Sequence, residues 1–187
     1  SGYQFSPKDA GIDDAEDSDA DISTGETIQT TLEEGEDDLT WDAGMYLVPA
    51  SIGDFVWEDL NGNGVQDEGE PGINGVNIAL FSADTHKLVG TTQTLRGPNI
   101  KAVKGPHDGY YAFESLVPGN YYLRFEKPSG YEFTTQNAVR QDDINSDADQ
   151  TTGVTAITTL DPGENDPTWD AGLVRPAAIG DFVWDDV

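Results

Sequence analysis

The stretch 59–70, DLNGNGVQDEGE, meets the pattern D-x-[DN]-x-[DN]-G-x5-E at every position, and little else in the chain constrains it as tightly. Asp59, Asn61 and Asn63 stand at loop positions 1, 3 and 5, and Gly64 at position 6, where the chain must turn sharply. Val65 at position 7 offers a backbone carbonyl. Asp67 at position 9 is often a water-mediated ligand, and Glu70 at position 12 supplies a bidentate carboxylate. Calcium wants roughly six to eight hard oxygens, and this spacing supplies them from one short loop. A Gly/Asn/Asp-rich turn that binds nothing is the competing reading. The flanks are not helical. Residues 51–57, SIGDFVW, alternate and are rich in β-formers, and 71–82, PGINGVNIALFS, punctuate with Pro71 and Gly72 before another strand-like run. The loop therefore joins two strands.

The charge fits a cation-dependent fold. Acids outnumber Lys and Arg by 36 to 9, for a formal charge of −27, so a compact chain repels itself and lacks the basic footprint of a nucleic-acid binder. Disorder is the alternative reading of such acidity. Against it stand seven Phe, seven Tyr and four Trp in alternating patterns, and bound cations reconcile the acidity with packing. The absence of Cys rules out disulfides and is compatible with an exported protein stabilised by other means. The fragment shows no membrane-spanning segment and no signal peptide. It opens at Ser1 without Met, which a piece of a longer protein or processing explains.

The chain also repeats itself. SGYQF at Ser1 matches SGYEF at Ser129, SDAD recurs at 18–21 and 146–149, TWDAG at 40–44 and 168–172, and IGDFVWED at 52–59 matches IGDFVWDD at 179–186. The period is about 128 residues, with one residue deleted between TWDAG and IGDF in the second copy. Such a period makes each unit a whole domain rather than a solenoid turn. The expected frame is 1–48 as the end of a preceding unit, 51–175 as a complete unit, and 178–187 as the first strand of a following one. The junctions VPAS and RPAA are too short for flexible linkers and predict stiff end-to-end stacking.

Within the complete unit, strands are predicted at 52–57, 76–81, 88–94, 100–103, 110–113, 121–126, 131–135, 154–158 and 168–174, with no useful helical period. Many short strands with frequent turns predict an all-β, antiparallel β-sandwich. The run 108–131, DGYYAFESLVPGNYYLRFEKPSGY, resembles the signature of Cna-B-type domains, and 52–76 resembles the opening of the SdrD B-like domain. The resemblance covers 51–175 and both partial copies. It implies a Cna-B or Ig-like sandwich, calcium ligation by the first loop, and a structural or adhesive role in the stalks of bacterial surface adhesins. Many Cna-B domains carry a Lys–Asn isopeptide bond assisted by a Glu. By that alignment the lysine falls at Asn77 and the glutamate near Phe125, with Glu126 one step along on the opposite face, so no such bond is expected.

A second acidic run, DDINSDAD at 142–149, places Asp143, Asn145, Asp147 and Asp149 at every second position, with Asp142 beside them. The earlier copy keeps Asp14, Asp17, Asp19 and Asp21. These oxygens are expected to gather on a cation, with a solvated acidic loop as the alternative. Asp170, in TWDAG beside Trp169, completes a site or caps a turn. Glu164 and Asp166 read as solvated surface. Catalysis is not expected: His86 and His107 sit in polar turns, and no nucleophile elbow exists. Trp57, Tyr110 and Tyr122 read as core aromatics.

The reading is therefore a calcium-stabilised structural repeat in a rigid stalk or filament of an extracellular or cell-surface protein, partnered end to end by neighbouring repeats. The alternatives are an adhesin module binding a host or matrix ligand, protein or glycan, and a non-catalytic accessory domain of a secreted enzyme.

Overall fold

The computed structural model describes residues 2–13, 15–97 and 108–177. The expected strand at 100–103, Asp14, and the expected first strand of a following unit at 178–187 lie outside the described residues.

Among the described residues the regular structure is almost all strand. β1 (Tyr3–Phe5) and β2 (Met45–Leu47) form a small antiparallel pair in the first copy. The complete copy supplies β3 (Ala50–Glu58), β4 (Asn77–Ser82), β5 (Leu88–Gln93), β6 (Tyr110–Leu116), β7 (Gly119–Phe125), β8 (Glu132–Phe133), β9 (Thr158–Leu160), β10 (Asn165–Asp166) and β11 (Ala171–Val174), with one 3-10 turn at Asp142–Ile144. β5-β4-β7-β9 make one sheet, all antiparallel. The other is built on β3, which pairs antiparallel with β6 on one edge and parallel with β10 and then β11 on the other; β8 pairs with β11. The sandwich is as expected, but this second sheet is mixed.

Alternation explains the core. Ile52 and Val56 face inward from β3, Ile78 and Leu80 from β4, Leu123 and Phe125 from β7, and all are buried with Tyr111, Leu160 and Leu173. Each such side chain contributes about 1.5–3 kcal/mol on burial. Trp57 is fully buried, whereas Tyr110 and Tyr122 are only half-buried. Gly109 shows why a turn glycine is needed: its φ is +89°, and a Cβ there would lie 2.2 Å from the Val56 carbonyl.

The expected strand at 154–158 is displaced. Val154 makes only an isolated bridge to Arg124, and the strand starts at Thr158. The Thr155 hydroxyl accepts the Leu123 N–H, which ties that residue to β7 through its side chain.

Several hydrogen bonds of the second copy recur at matching residues of the first. Asp9 N donates to Ser18 O as Asn137 N donates to Ser146 O, and both residues hold φ at 50°. Trp41 Nε1 donates to Asp38 and Trp169 Nε1 to Asp166, each at 2.7 Å. Burial differs. Leu160 and Leu173 are fully covered by the strands of 50–125, while their counterparts Leu32 and Met45 are exposed. The copies meet at Val48, whose N–H donates to Gly2 O and whose carbonyl accepts the Gly163 N–H. Ser51 N adds a bond to Glu164 O at 2.8 Å.

On β4 and β7, Ile78 faces Phe125, and the exposed Asn77 amide donates to Glu126 Oε2 at 3.1 Å. Asn77 and Phe125 offer no amine and no acid for an isopeptide bond. The intact mass is expected to equal the sequence mass; a deficit of one ammonia or one water would overturn this.

Candidate metal centres

The first loop folds around Asp59. Its fully buried carboxylate accepts the Gly62 and Asn63 N–H groups on Oδ1, and the Gly64 N–H and Thr134 hydroxyl on Oδ2, at 2.5–3.3 Å. Burial alone would raise its pKa. The hydrogen bonds, led by Thr134 and Gly64, outweigh that and hold it below the ordinary carboxylate value. Glu70 reaches back over the loop, accepting from Leu60 N at 2.8 Å and Asp67 N at 3.0 Å. Asn61 and Asn63 each donate their side-chain amide to Asp67 Oδ2 at 2.8 Å. Position 12 is thus closed over positions 2 and 9, as a terminal ligand requires. The donor set is three carboxylates and two amides, all hard oxygen donors once the amides turn their oxygens inward. It fits calcium.

The second segment lies against the first. Gln66 N donates to Ile144 O at 2.8 Å, and Val65 bridges Asn145. Asn145 is buried; its amide nitrogen faces Val139 O, Gln141 O and Asp142 Oδ1 at 3.2–3.5 Å, and its Oδ1 has no hydrogen-bond partner. Asp147 and Asp170 are buried and reciprocal: Asp170 N donates to Asp147 Oδ2 at 2.7 Å, and Asp147 N to Asp170 O at 2.8 Å. Asp170 Oδ1 also accepts the Phe55 N–H. Burial pushes the Asp147 pKa up to about 7; the Asp170 N–H opposes the rise, and the charges of Asp142, Asp166 and Asp54 add to it.

Two expected ligands serve turns. Asp149 Oδ1 accepts the N–H groups of Thr151 and Thr152 and the Thr152 hydroxyl, and Asp21 does the same for Ser23 and Thr24. Asp143 is half-buried at the 3-10 turn. In the first copy Asp9, Asp17 and Asp19 bring one oxygen each within 4.8 Å of the others.

Asp9 and Asp54 were missed from sequence. Asp54 is 3% exposed and lies on the inward face of β3 between Ile52 and Val56. A carboxylate at an inward position of an apolar alternation was the available signal. Asp166, read as solvated, accepts from Thr168 and Trp169, each at 2.7 Å.

A family model described as the SdrD B-like domain matches residues 1–45 and 50–173. Serine-aspartate repeat-containing protein F of Staphylococcus epidermidis is 32% identical over 187 residues, 99% of this chain and 9% of that protein. Proteins E and D of the same series, from Staphylococcus aureus, are 36% identical over 88% of the chain and 34% over 99%. They are covered to 13% and 12% of their own length, so the chain spans about a tenth of these relatives. Among solved structures, a minor pilin of Streptococcus agalactiae matches with a TM-score of 0.41 and 11% identity, covering 82% of this chain and 61% of that one. With the family model matching both copies, the chain belongs to the SdrD B-like domain family.

Proposed function

We propose that this chain is a calcium-stiffened structural repeat, non-catalytic, forming part of a stalk or filament on an extracellular or cell-surface protein. The observation that carries the reading is the burial of acids. Asp59 is buried at the head of the first loop and Asp147 in the segment against it, where burial disfavours the Asp147 charge, while the ion pairs among the described residues fall elsewhere, at Lys8–Asp9, Lys127–Glu132 and Arg175–Glu58. A buried charge without a counter-ion costs several kcal/mol, and a bound cation offsets that cost. The joint at Val48, bonded to both copies, supports a fixed angle between neighbouring units.

Calcium is expected to raise the melting temperature. One site at ten times its Kd adds about 1.4 kcal/mol, and several sites add more. Small-angle scattering, read beside near-UV circular dichroism, is expected to give a narrow distance distribution with calcium and a broader one after chelation, before the cores unfold. An unchanged melting midpoint would remove calcium from the account. Equal flexibility in both conditions, with cores intact, would remove the stiff stalk.

A further inference from the structure

The first copy forms one end of a unit without the strand that covers that end in the complete copy. There β11 lies between β8 and β3. Ala171 pairs with Val56, Gly172 with Trp57 and Leu173 with Glu58, all parallel, and Leu173 pairs antiparallel with Phe133. In the first copy the matching strand β2 keeps its antiparallel partner, Met45 against Phe5, and among the described residues no strand pairs with its other edge. Exposure follows. Asp170, Ala171 and Leu173 are fully buried, whereas their counterparts Asp42, Ala43 and Met45 are exposed. The scaffold beneath is nonetheless in place: Asp19 N donates to Asp42 O as Asp147 N does to Asp170 O, and Ser6 N to Gly44 O as Thr134 N does to Gly172 O.

Beside this edge opens a cleft of about 510 Å³, whose lining includes Ser6, Ala10, Ser18, Ala43 and Gly44. In the complete copy the matching place is filled. Trp57 is fully buried, and a Cβ added at Gly172 would lie 2.8 Å from its ring; a Cβ at Gly44 would meet only Ser6 and Ser18. Behind Trp57, Gly64 comes against Thr135 and Ala138, the counterparts of Pro7 and Ala10. The strand that carries the tryptophan occurs twice in this chain: residues 179–186, IGDFVWDD, repeat 52–59, IGDFVWED, with Asp for Glu at one position.

We propose that residues 179–186 of a second copy of this chain add to the open edge of β2, parallel to it, with Val183 against Ala43, Trp184 against Gly44 and Asp185 against Met45. An unpaired strand edge is a template for such addition, in which main-chain bonds give affinity and alternate side chains select the register. Gly44 leaves room for the Trp184 ring as Gly172 does for Trp57. The Asp186 N–H takes the Met45 carbonyl, as Asp59 N takes Leu173 O. Each chain then receives a strand on its first copy and donates one from 179–186. Such a heterologous contact builds rings or open chains rather than a symmetric pair. Charge opposes the contact, because Asp17 and Asp42 line the cleft, Asp181, Asp185 and Asp186 arrive with the strand, and each chain carries −27. Salt that screens like charges therefore strengthens it.

The test is sedimentation velocity of the intact chain over a range of concentrations, at about 0.15 M and about 1 M salt, in calcium and separately in chelator. The expected result is a sedimentation coefficient that rises with concentration, and rises further at high salt. A synthetic peptide of residues 178–187 should return the chain to monomer, and Trp184→Ala in the full chain should weaken association roughly tenfold or more. A chain that stays monomeric at every concentration and in both salts would overturn the proposal, whether or not the peptide binds. Association that Trp184→Ala and the peptide leave untouched would overturn it as well. If that association occurs only in calcium, it is cation bridging between acidic surfaces.

Discussion

Asp147→Asn is expected to abolish most of the pH dependence of stability in the cation-free protein. The Asp147 pKa stands at about 7 against an ordinary 3.8. Between those values the folded protein holds a proton that the unfolded chain has released. Folding therefore takes up a proton in that window, and stability falls as pH rises from about 4 to about 7, then levels off. A shift of about three units corresponds to about 4 kcal/mol. Asparagine keeps an oxygen for the Asp170 N–H and carries no charge. Without cation at pH 8 the variant should exceed wild type by up to about 4 kcal/mol. Calcium should restore the wild type, and should stabilise the variant only by what the first loop contributes. Melting at pH 5 and 8, with chelator and with calcium, measures all four cases. A chelated wild type equally stable at both pH values would sink the argument.

Asp59→Ala should be the most damaging change in the first loop even without cation. It removes the acceptor of four hydrogen bonds and leaves the Thr134 hydroxyl and the Gly64 N–H buried without a partner. Hydrogen bonds to a charged group contribute roughly 1.5–3 kcal/mol each, and orphaned buried donors add their desolvation cost. A loss of at least about 3 kcal/mol is expected. Asp67→Ala, at an exposed position, should cost no more than about 1 kcal/mol under the same conditions. Urea unfolding in chelator compares them. Equal small losses would mean that the loop is not organised by Asp59.

The alternation of β3, β4 and β7 was legible because one face of each meets the core. The parallel pairing of β10 and β11 with β3 was not, since it depends on where distant segments land rather than on any local pattern. The turn at 59–70 was legible because its spacing of Asp, Asn and Gly is a local pattern. The second centre was less so. Asp149 reads as one of an alternating set of acids, yet its carboxylate closes a turn on Thr152, while Asp54, 88 residues before the acidic run that begins at Asp142, lies inside a strand. Only packing separates a carboxylate turned to a core from one turned to a neighbouring backbone amide.

The parallel pairing has a mechanical consequence. The chain enters the complete copy at β3 and leaves it at β11, and these two strands lie side by side in the same direction, Ala171 against Val56 through Leu173 against Glu58. Tension applied along the chain pulls the start of β3 one way and the end of β11 the other. The load runs along the strands, so the bonds between them, with Asp59 N to Leu173 O and the Ser51 N to Glu164 O bond at the entry, are sheared together rather than opened one at a time. The Arg175–Glu58 ion pair at 2.9 Å sits where the pull leaves the sheet. A unit wired this way resists stretching far better than a hairpin of the same size, whose rungs would part in sequence.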